Sequence, residues 1–320
     1  MIKTFWQNIQ TQLQKWKDDN LAPQAINWQI FDQWDKALKH NKPLTKWFTK
    51  SIPDVDVDII GVPYPRSRKL RYWGIDTPKA FKAMKSNPNG FTEENVTYTF
   101  NKYGFRGDEI DEQTDYTILV AGCSHSLGVG LDDSQTWVQQ LKEILPRRIV
   151  IEKGIKRQNT LKIVNISISG ASNDYIARAL LQCMESINPD CVIACYTYGA
   201  RREALLLPHE GHVLQMTPTV PDSLPGDDMV IDEYKGWFMT MHDESNLYNW
   251  DKNREIVKLL CRATNTKLIE THVGVMKRIQ RNLHKTLGFL DLARDGEHFG
   301  PHTHKKFAEE MKQRWISLQD

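Results

Sequence analysis

A serine stands directly after an apolar run in the segment Val120-Ala-Gly-Cys-Ser-His-Ser-Leu-Gly-Val-Gly130. The run before it, residues 116–121, has the length and composition of a buried parallel strand. Ser124 would therefore follow a strand end, where its hydroxyl can act as a nucleophile at the edge of a sheet. The glycines around it permit a tight turn and a close approach of the backbone to a ligand or to the sheet. A phosphate-cradling loop or an ordinary turn is the alternative for an isolated Gly-x-Ser.

An aspartate and a histidine three residues apart precede the last predicted helix, in Asp295-Gly-Glu-His298. On a turn, this spacing lets the carboxylate reach one imidazole nitrogen while the other nitrogen faces a nucleophile. A solvated turn is the alternative for an Asp-x-x-His by itself. Because this motif ends an α/β pattern that begins near Ser124, we interpret it as an acid–base pair.

Strands and helices alternate regularly after residue 98. Apolar runs predict strands at residues 116–121, 162–166, 191–196 and 267–271. Amphipathic or capped segments predict helices at residues 136–145, 174–187, 247–262 and 302–316. This alternation predicts a parallel sheet with helices on both faces, with ligands bound at the carboxyl ends of the strands. The stretch 205–246 shows no period, which is typical of a lid or a disordered loop.

The chain has three parts by composition. Residues 1–50 contain no glycine and hold five of the ten tryptophans at helical spacing, which predicts a helical, aromatic-rich N-terminal appendage. Residues 51–98 are punctuated by Pro, Asp and Gly and predict an extended connector, and residues 99–320 form the predicted α/β domain. The tryptophans favour core packing, self-association or a protein partner, with a sugar-stacking surface as the alternative.

Composition argues against several function classes. The formal net charge of +2 and the lack of a concentrated basic surface give no reason to predict a nucleic-acid partner. No apolar run reaches the length of a membrane span, and the N-terminus turns polar at once, so we predict neither a membrane partner nor export. Five cysteines match no zinc or disulfide pattern, which favours a reducing compartment. We therefore predict a cytoplasmic location, or a virion if the source is viral.

Histidines crowd one short segment, at positions 298, 302 and 304. Zinc takes three or four ligands, and only His298 and His302 have the spacing that shares a helical face. Pro301 lies between them and indicates that the helix starts after His298. We therefore predict no metal and no other cofactor, and we expect His302 and His304 to face solvent at the helix start.

Taken together, four segments resemble the SGNH (GDSL-like) serine hydrolases. The Gly122 to Gly130 segment is similar to the first block of that family, with Cys123 where Asp is common. The stretch Asn101-Lys-Tyr-Gly-Phe-Arg-Gly107 is similar to one that precedes this block in a subset of the family. Val164-Asn-Ile-Ser-Ile-Ser-Gly170 resembles the second block, and the Asp-x-x-His motif resembles the last.

The resemblance implies a three-layer, flavodoxin-like α/β fold and a serine esterase that removes an acyl group, such as acetyl, from a carbohydrate or small ester. It implies that Ser124 is the nucleophile, that His298 moves the proton and that Asp295 orients His298. The backbone N–H groups of Ser124 and Gly170 would form the oxyanion hole. Acyl transfer to a sugar hydroxyl uses the same machinery and stays open.

One block departs from the family. Its third block ends in Gly-x-Asn, whose amide donates to the oxyanion, but here Gly199-Ala-Arg201 places an arginine at that position. The guanidinium of Arg201 can donate in place of the amide, or it can pair with Glu203 or a neighbouring carboxylate and leave the hole incomplete. The second alternative supports a non-catalytic SGNH-like binding or structural module, for example in a viral particle. The joint retention of Ser124, Asp295 and His298 favours the enzyme.

Overall fold

The computed structural model describes residues 67–84, 86–110, 112–147, 149–152, 155–206, 212–216, 243–273 and 291–318. The predicted N-terminal appendage over residues 1–50, with its tryptophans, lies outside these described residues. Most of the predicted lid, residues 217–242, lies outside them as well.

Strands and helices alternate through most of the described chain. The strands are β1 (Arg68–Leu70), β2 (Tyr98–Phe100), β3 (Tyr116–Ala121), β4 (Ile149–Glu152), β5 (Ile155–Gln158), β6 (Leu161–Asn165), β7 (Cys191–Tyr196), β8 (Arg202–Leu206), β9 (His212–Met216) and β10 (Lys267–His272). The helices are α1 (Pro78–Ala83), α2 (Ser124–Leu127), α3 (Trp137–Ile144), α4 (Asn173–Ile187), α5 (Asp243–Ala263) and α6 (Pro301–Ser317).

Four parallel strands form the central sheet, in the order β10-β7-β3-β6. The chain passes from β3 to β6 on one side and then returns to β7 on the other side of β3. The strand order therefore reverses between β3 and β7, as in flavodoxin-like sheets, and such a reversal opens a crevice at the carboxyl ends of the two strands. This crevice is the expected position of a ligand.

Helices cover both faces of the sheet. Leu119 and Ala121 of β3 belong to the same buried cluster as residues of α4 and α5. Ile118 and Val120 point the other way, into a cluster with residues of α3 and α6. Because alternate side chains of a strand face opposite sides, a strand covered on both faces is apolar on both, as β3 is from Ile118 to Ala121. The predicted three-layer, flavodoxin-like α/β arrangement is confirmed.

The predicted strands of the sheet agree with the observed ones to within one residue, and α5 begins four residues earlier than predicted. The expectation that residues 205–246 form a lid or a disordered loop was wrong at both ends of this stretch. Residues Arg202–Leu206 and His212–Met216 pair as an antiparallel hairpin, and the first turn of α5 covers residues 243–246. Strands this short give too few residues for an alternating pattern to stand out.

The segment before β3 packs on the same core as the sheet. β1 pairs antiparallel with β2. Thr77 is the N-cap residue of α1, and its hydroxyl accepts the N–H of Ala80 at 3.1 Å. Phe91, Val96 and Tyr98 are buried in the cluster that contains Leu119. The division of the chain at residue 98 stays a prediction.

All five cysteines are free thiols buried in the core. Burial raises the pKa of Cys183, Cys191 and Cys195 to about 12, so these thiols stay protonated at neutral pH. Within the described ranges, no helix combines the length and the apolar character that a membrane span requires.

His304 is buried, with 1% of its surface exposed, so the expectation that it faces solvent was wrong. It lies on the face of α6 that also carries Phe307, Met311 and Trp315, one to three turns further along. Its Nδ1 accepts the backbone N–H of Trp137 at 3.0 Å. That N–H opens α3 and has no partner within its own helix. His302, by contrast, is exposed as predicted.

Burial lowers the pKa of His304 from its usual value of 6.5 to about 3, and the charges of His298 and Arg106 act in the same direction. Between these two values the unfolded chain binds a proton that the folded chain does not. Stability should therefore rise with pH across this window and fall as the pH drops below about 6.5.

His304→Asn should remove this acid sensitivity, because the asparagine oxygen can accept the Trp137 N–H but does not titrate. The difference between wild type and variant in free energy of unfolding should change by about 2 kcal/mol between pH 7.5 and pH 5. Urea denaturation at a series of pH values measures it, and the two curves should run parallel above pH 7.5. Parallel curves down to pH 5 would contradict the assignment of His304 as a buried neutral imidazole.

Candidate active site

Ser124 lies at a strand–turn–helix junction. β3 ends at Ala121, Gly122 and Cys123 turn the chain, and Ser124 is the first residue of α2, with 6% of its surface exposed. A Cβ atom on Gly122 would overlap the side chain of Ser126, so this turn requires glycine. α2 ends at Gly128, whose φ of 78° is left-handed and whose N–H donates to the Ser124 carbonyl at 2.9 Å. The strand-end position predicted for Ser124 is the observed one.

The Asn101 to Gly107 stretch forms a loop that directs Arg106 beneath the turn that carries Ser124. The Asn101 carboxamide oxygen accepts the N–H groups of Tyr103 and Phe105, both at 3.0 Å, and so closes the loop. Arg106 is 4% exposed, and its guanidinium donates to five oxygens. These are the carbonyls of Thr97, Leu127, Gly128 and Leu131 and the carboxylate of Asp133. The contacts explain this motif as a clamp on the turn that follows Ser124.

Asp295 and His298 form a hydrogen-bonded pair on one turn. Asp295 Oδ2 lies 2.5 Å from His298 Nδ1, and Asp295 Oδ1 accepts the N–H groups of Glu297 and His298 at 3.0 Å each. Burial raises the pKa of Asp295, but the hydrogen bonds from the His298 ring and the two N–H groups outweigh it and hold the pKa below its usual value. An ionised Asp295 places the proton of neutral His298 on Nδ1, which leaves Nε2 as a proton acceptor.

A short antiparallel bridge between Leu292 and Phe299 closes the turn that carries Asp295 and His298, and α6 begins just beyond it. Gly300 occupies the N-cap position of α6 and has no side chain that could accept a hydrogen bond from the helix. The Asp291 carboxylate accepts the N–H of His302 instead, at 2.9 Å. A side chain on Gly300 would collide with that carboxylate. This turn, called the acid–base turn after the roles predicted for Asp295 and His298, is therefore anchored to the first turn of α6.

His125 connects α2 to the turn that carries Asp295 and His298. Its ring stacks on the Phe299 ring at a centroid distance of 4.5 Å, and its edge faces the His298 ring at 5.1 Å. Because His125 is the residue after Ser124, this contact brings α2 against the turn of His298. Ser124, Asp295 and His298 thus lie on adjoining segments, and their assignment as a triad stays a prediction.

Gly130 lets the loop after α2 pack directly on the acid–base turn. The backbone N–H of Arg294 donates to the Gly130 carbonyl at 2.9 Å. A Cβ atom on Gly130 would lie 2.7 Å from the Ala293 Cβ and 3.2 Å from the Asp295 nitrogen, and its φ is +80°. The close approach expected of this glycine is made to the turn that carries Asp295.

Gly130→Ala should lower the free energy of unfolding by about 2 kcal/mol more than Gly90→Ala, because the added methyl group collides with the Ala293 Cβ and crowds the main-chain nitrogens of Arg294 and Asp295. Gly90 is a matched control, since its φ is +66° but a Cβ there meets nothing within 4 Å. Urea denaturation of both variants measures the difference. Equal losses would mean that left-handed strain alone explains Gly130.

The second-block residues lie beside the nucleophile turn. Asn165, at the end of β6, donates from its amide to the Ser126 carbonyl at 2.9 Å. The N–H of Ile168 donates to the Gly122 carbonyl at 3.2 Å. Gly170 follows in a turn with φ of 74°. The loop of Gly170 is thus hydrogen-bonded to the residues on either side of Ser124, and the role of Gly170 in an oxyanion hole stays a prediction.

Arg201 bridges the loops that follow β6 and β7. Its Nη1 donates to the Ala171 carbonyl at 3.3 Å and to the Thr197 hydroxyl at 3.1 Å, and its guanidinium lies over the Tyr198 ring at 5.3 Å. The alternative in which it pairs with Glu203 is wrong. Glu203 accepts two hydrogen bonds from Arg178, at 2.5 and 2.7 Å. The Arg201 guanidinium therefore lies beside Ala171, the residue that follows Gly170.

Sequence reasoning missed the buried ionic cluster behind the site, which consists of Asp76, Tyr98 and Arg294. Arg294 directly precedes Asp295, and this adjacency was the only signal that pointed to it. Its partners lie about two hundred residues away in the chain, where no spacing rule reaches. Among the described residues, no group of three or more His, Cys, Asp or Glu side chains could hold a metal ion.

No family model matches the chain, and neither does any curated protein. Among solved structures, the chain is similar to TesA, with 17% identity and a TM-score of 0.31 over 63% of this chain and 97% of that one. It is similar to the psychrotrophic esterase EstA from Pseudoalteromonas sp., with 15% identity and a TM-score of 0.31 over 63% of this chain and 100% of that one. It is similar to the acetyl xylan esterase AlAXEase, with 15% identity and a TM-score of 0.31 over 63% of this chain and 99% of that one.

Proposed function

We propose that this protein is a serine esterase that uses Ser124, His298 and Asp295. The observation that carries the proposal is the hydrogen bond between Asp295 and His298 on a turn in contact with the helix that begins at Ser124. An ionised, buried carboxylate that fixes an imidazole beside a strand-end serine is the arrangement that activates a hydroxyl for acyl transfer.

In the proposed reaction, the Ser124 hydroxyl attacks the ester carbonyl carbon while His298 Nε2 takes its proton. The backbone N–H groups of Ser124 and Gly170 stabilise the oxyanion of the tetrahedral intermediate. His298 then returns the proton to the leaving alcohol as the carbon–oxygen bond breaks, which leaves an acyl group on Ser124. Water, activated by the same imidazole, releases the acid. Asp295 stays ionised throughout and holds the ring.

Arg201 supplies the positive charge that the family's asparagine does not have. Its Nη1 hydrogen bonds hold the Ala171 carbonyl and the Thr197 hydroxyl, and so fix the loop that carries Gly170. A fixed cation beside an oxyanion hole stabilises developing negative charge in a water-poor site. We therefore assign Arg201 to the oxyanion hole as a third contributor.

The substrate class we propose is an acyl ester of a small alcohol or carbohydrate, such as an acetyl ester. Transfer of the acyl group to a sugar hydroxyl instead of water is the same chemistry with another acceptor. The second candidate function is a non-catalytic binding or structural module, and one observation favours it: an arginine occupies the position of the oxyanion asparagine.

Hydrolysis of p-nitrophenyl acetate, measured with wild type, Ser124→Ala and Ser126→Ala in parallel, tests the proposal. Ser126 is a buried serine of the same helix, which makes it a matched control for the loss of a hydroxyl. Turnover in wild type and Ser126→Ala but not in Ser124→Ala is the expected result. Equal rates in wild type and Ser124→Ala would contradict the esterase and support the binding module.

A further inference from the structure

A buried chain of polar groups lies behind the acid–base turn, apart from the residues that contact substrate in the proposed mechanism. Arg294 donates to both oxygens of Asp76, from Nε at 3.1 Å and from Nη2 at 2.7 Å. The Tyr98 hydroxyl donates to Asp76 Oδ2 at 2.6 Å and accepts the N–H of Gly130 at 2.6 Å. Asp76, Tyr98 and Arg294 each have 0% of their surface exposed.

Hydrogen bonds to the segment before β3 fix the guanidinium of Arg294 further. Nη1 donates to the carbonyl of Thr92 at 3.2 Å, Nη2 donates to the carbonyl of Arg71, and the guanidinium lies 4.2 Å from the centroid of the Tyr72 ring. The group therefore has contacts on both of its edges and on its face. A guanidinium held in this way has very little freedom to move.

The chain of hydrogen bonds joins the two segments that the proposed mechanism must keep in register. Arg294 is the residue before Asp295, so its main chain is continuous with the acid–base turn. Gly130 follows the nucleophile helix and accepts the N–H of Arg294 at its own carbonyl. Tyr98 thus holds Gly130 at its nitrogen while Arg294 holds it at its oxygen. The two segments are connected twice, through main chain and through side chains.

Stability alone is a weak explanation for a fully buried ion pair. Removing two charges from water is unfavourable, and well-packed apolar side chains often do as well or better at the same place. What an ion pair adds is a fixed distance and orientation between the segments that carry it. Asp76 and Arg294 are 218 residues apart in the chain, and Arg294 directly precedes the proposed catalytic Asp295.

We propose that Asp76, Tyr98 and Arg294 are positioning residues for the Asp295–His298 pair, which hold the acid–base turn at a fixed distance from the Ser124 loop. The inference rests on the proposed function. It makes the segment before β3 part of the catalytic apparatus, because that segment supplies Asp76 and Tyr98.

Tyr98→Phe tests the inference with the smallest change. It removes only the hydroxyl that joins Asp76 to Gly130, and it keeps the ring on which the Arg106 guanidinium lies at 4.4 Å. We expect kcat for p-nitrophenyl acetate to fall by about 10-fold or more, with KM changed less than about twofold, because small displacements of a catalytic group reduce the rate steeply.

Tyr175→Phe is the matched control. Tyr175 is also fully buried, and its hydroxyl donates to a main-chain carbonyl, that of Ile166, at the same distance of 2.6 Å. Both variants should lose similar thermal stability, but only Tyr98→Phe should lose kcat. If wild type hydrolyses the ester, equal kcat in the two variants would overturn the inference.

A spectroscopic readout separates this inference from the proposed function. The proton in the 2.5 Å hydrogen bond between Asp295 and His298 should give a one-dimensional proton NMR resonance far downfield of the amides. We expect that resonance in wild type and Tyr175→Phe, and its broadening or loss in Tyr98→Phe. If wild type shows the resonance but no ester turnover, the proposed function fails, and the resonance of Tyr98→Phe then decides the positioning role alone. In that case an unchanged resonance in Tyr98→Phe overturns the inference.

Arg294→Lys provides a second variant, because an ammonium group keeps the charge but cannot bind both oxygens of Asp76 and the two carbonyls at once. It should lower kcat at least as much as Tyr98→Phe does. Combining the two substitutions should add little, since both interrupt the same chain of bonds. Should Arg294→Lys not fold, the outcome of Tyr98→Phe stands as the test.

Discussion

Ser124→Ala and His298→Ala are each expected to lower ester turnover by about 10³-fold or more, and the double variant should lose little beyond either single one. The reason is that neither group works without the other. A serine hydroxyl is a weak nucleophile until a base removes its proton, and the imidazole has no reaction to assist when the serine is absent. Their contributions are therefore strongly non-additive.

The measurement is kcat for p-nitrophenyl acetate in the two single variants and the double variant, with thermal denaturation to confirm that each is folded. His302→Ala is the matched control for His298→Ala, because His302 lies four residues further on and is exposed. It should retain the wild-type rate. A double variant whose loss is the product of the two single losses would show that Ser124 and His298 act independently, which the proposed mechanism does not allow.

Arg201→Asn is expected to lower kcat by about 10- to 100-fold, although it restores the residue that the SGNH family has at this position. Asparagine is too short to reach both the Ala171 carbonyl and the Thr197 hydroxyl, which Arg201 now bridges. The loop of Gly170 would lose its anchor and the site would lose a positive charge. Arg201→Lys keeps the charge without the bridge, so the difference between the two variants separates electrostatics from positioning.

Arg157→Asn is the control for loss of a cationic side chain. Arg157 pairs with Asp115, which directly precedes β3. Arg157 therefore lies near the amino end of β3, whereas Ser124 follows its carboxyl end. It should leave kcat unchanged. A rise in turnover for Arg201→Asn would mean that the native oxyanion hole is impaired, and no change at all would mean that Arg201 lies outside the site and that the third block is misaligned.

Sequence periodicity determined most of the sheet and the helices that flank it. β7 and residues 118–121 of β3 are unbroken apolar runs because both of their faces are covered by helices, and that composition is visible without coordinates. The position of Ser124 at a strand end follows from the same run, since the first residues after a buried strand must lie at the sheet edge. The Asp295–His298 contact is also local, because a three-residue spacing on a turn brings the two side chains together.

Tertiary structure alone decided which partners the polar side chains take. Nothing in the sequence indicated that Glu203 would bind Arg178 and leave Arg201 to the loop of Gly170, because each pairing joins residues on different elements. His304 faces the core instead of solvent because α6 packs on α3 through that side of the helix.

The cluster of Asp76, Tyr98 and Arg294 is the clearest case of this kind, since its members come together only when the segment before β3 packs against the acid–base turn. Local periodicity reports which face of an element is buried, and so the sequence by itself determined the layers of the fold and the strand-end serine. The identity of a polar partner depends on how distant elements pack, and so the contacts that hold the site together were decided by the tertiary structure.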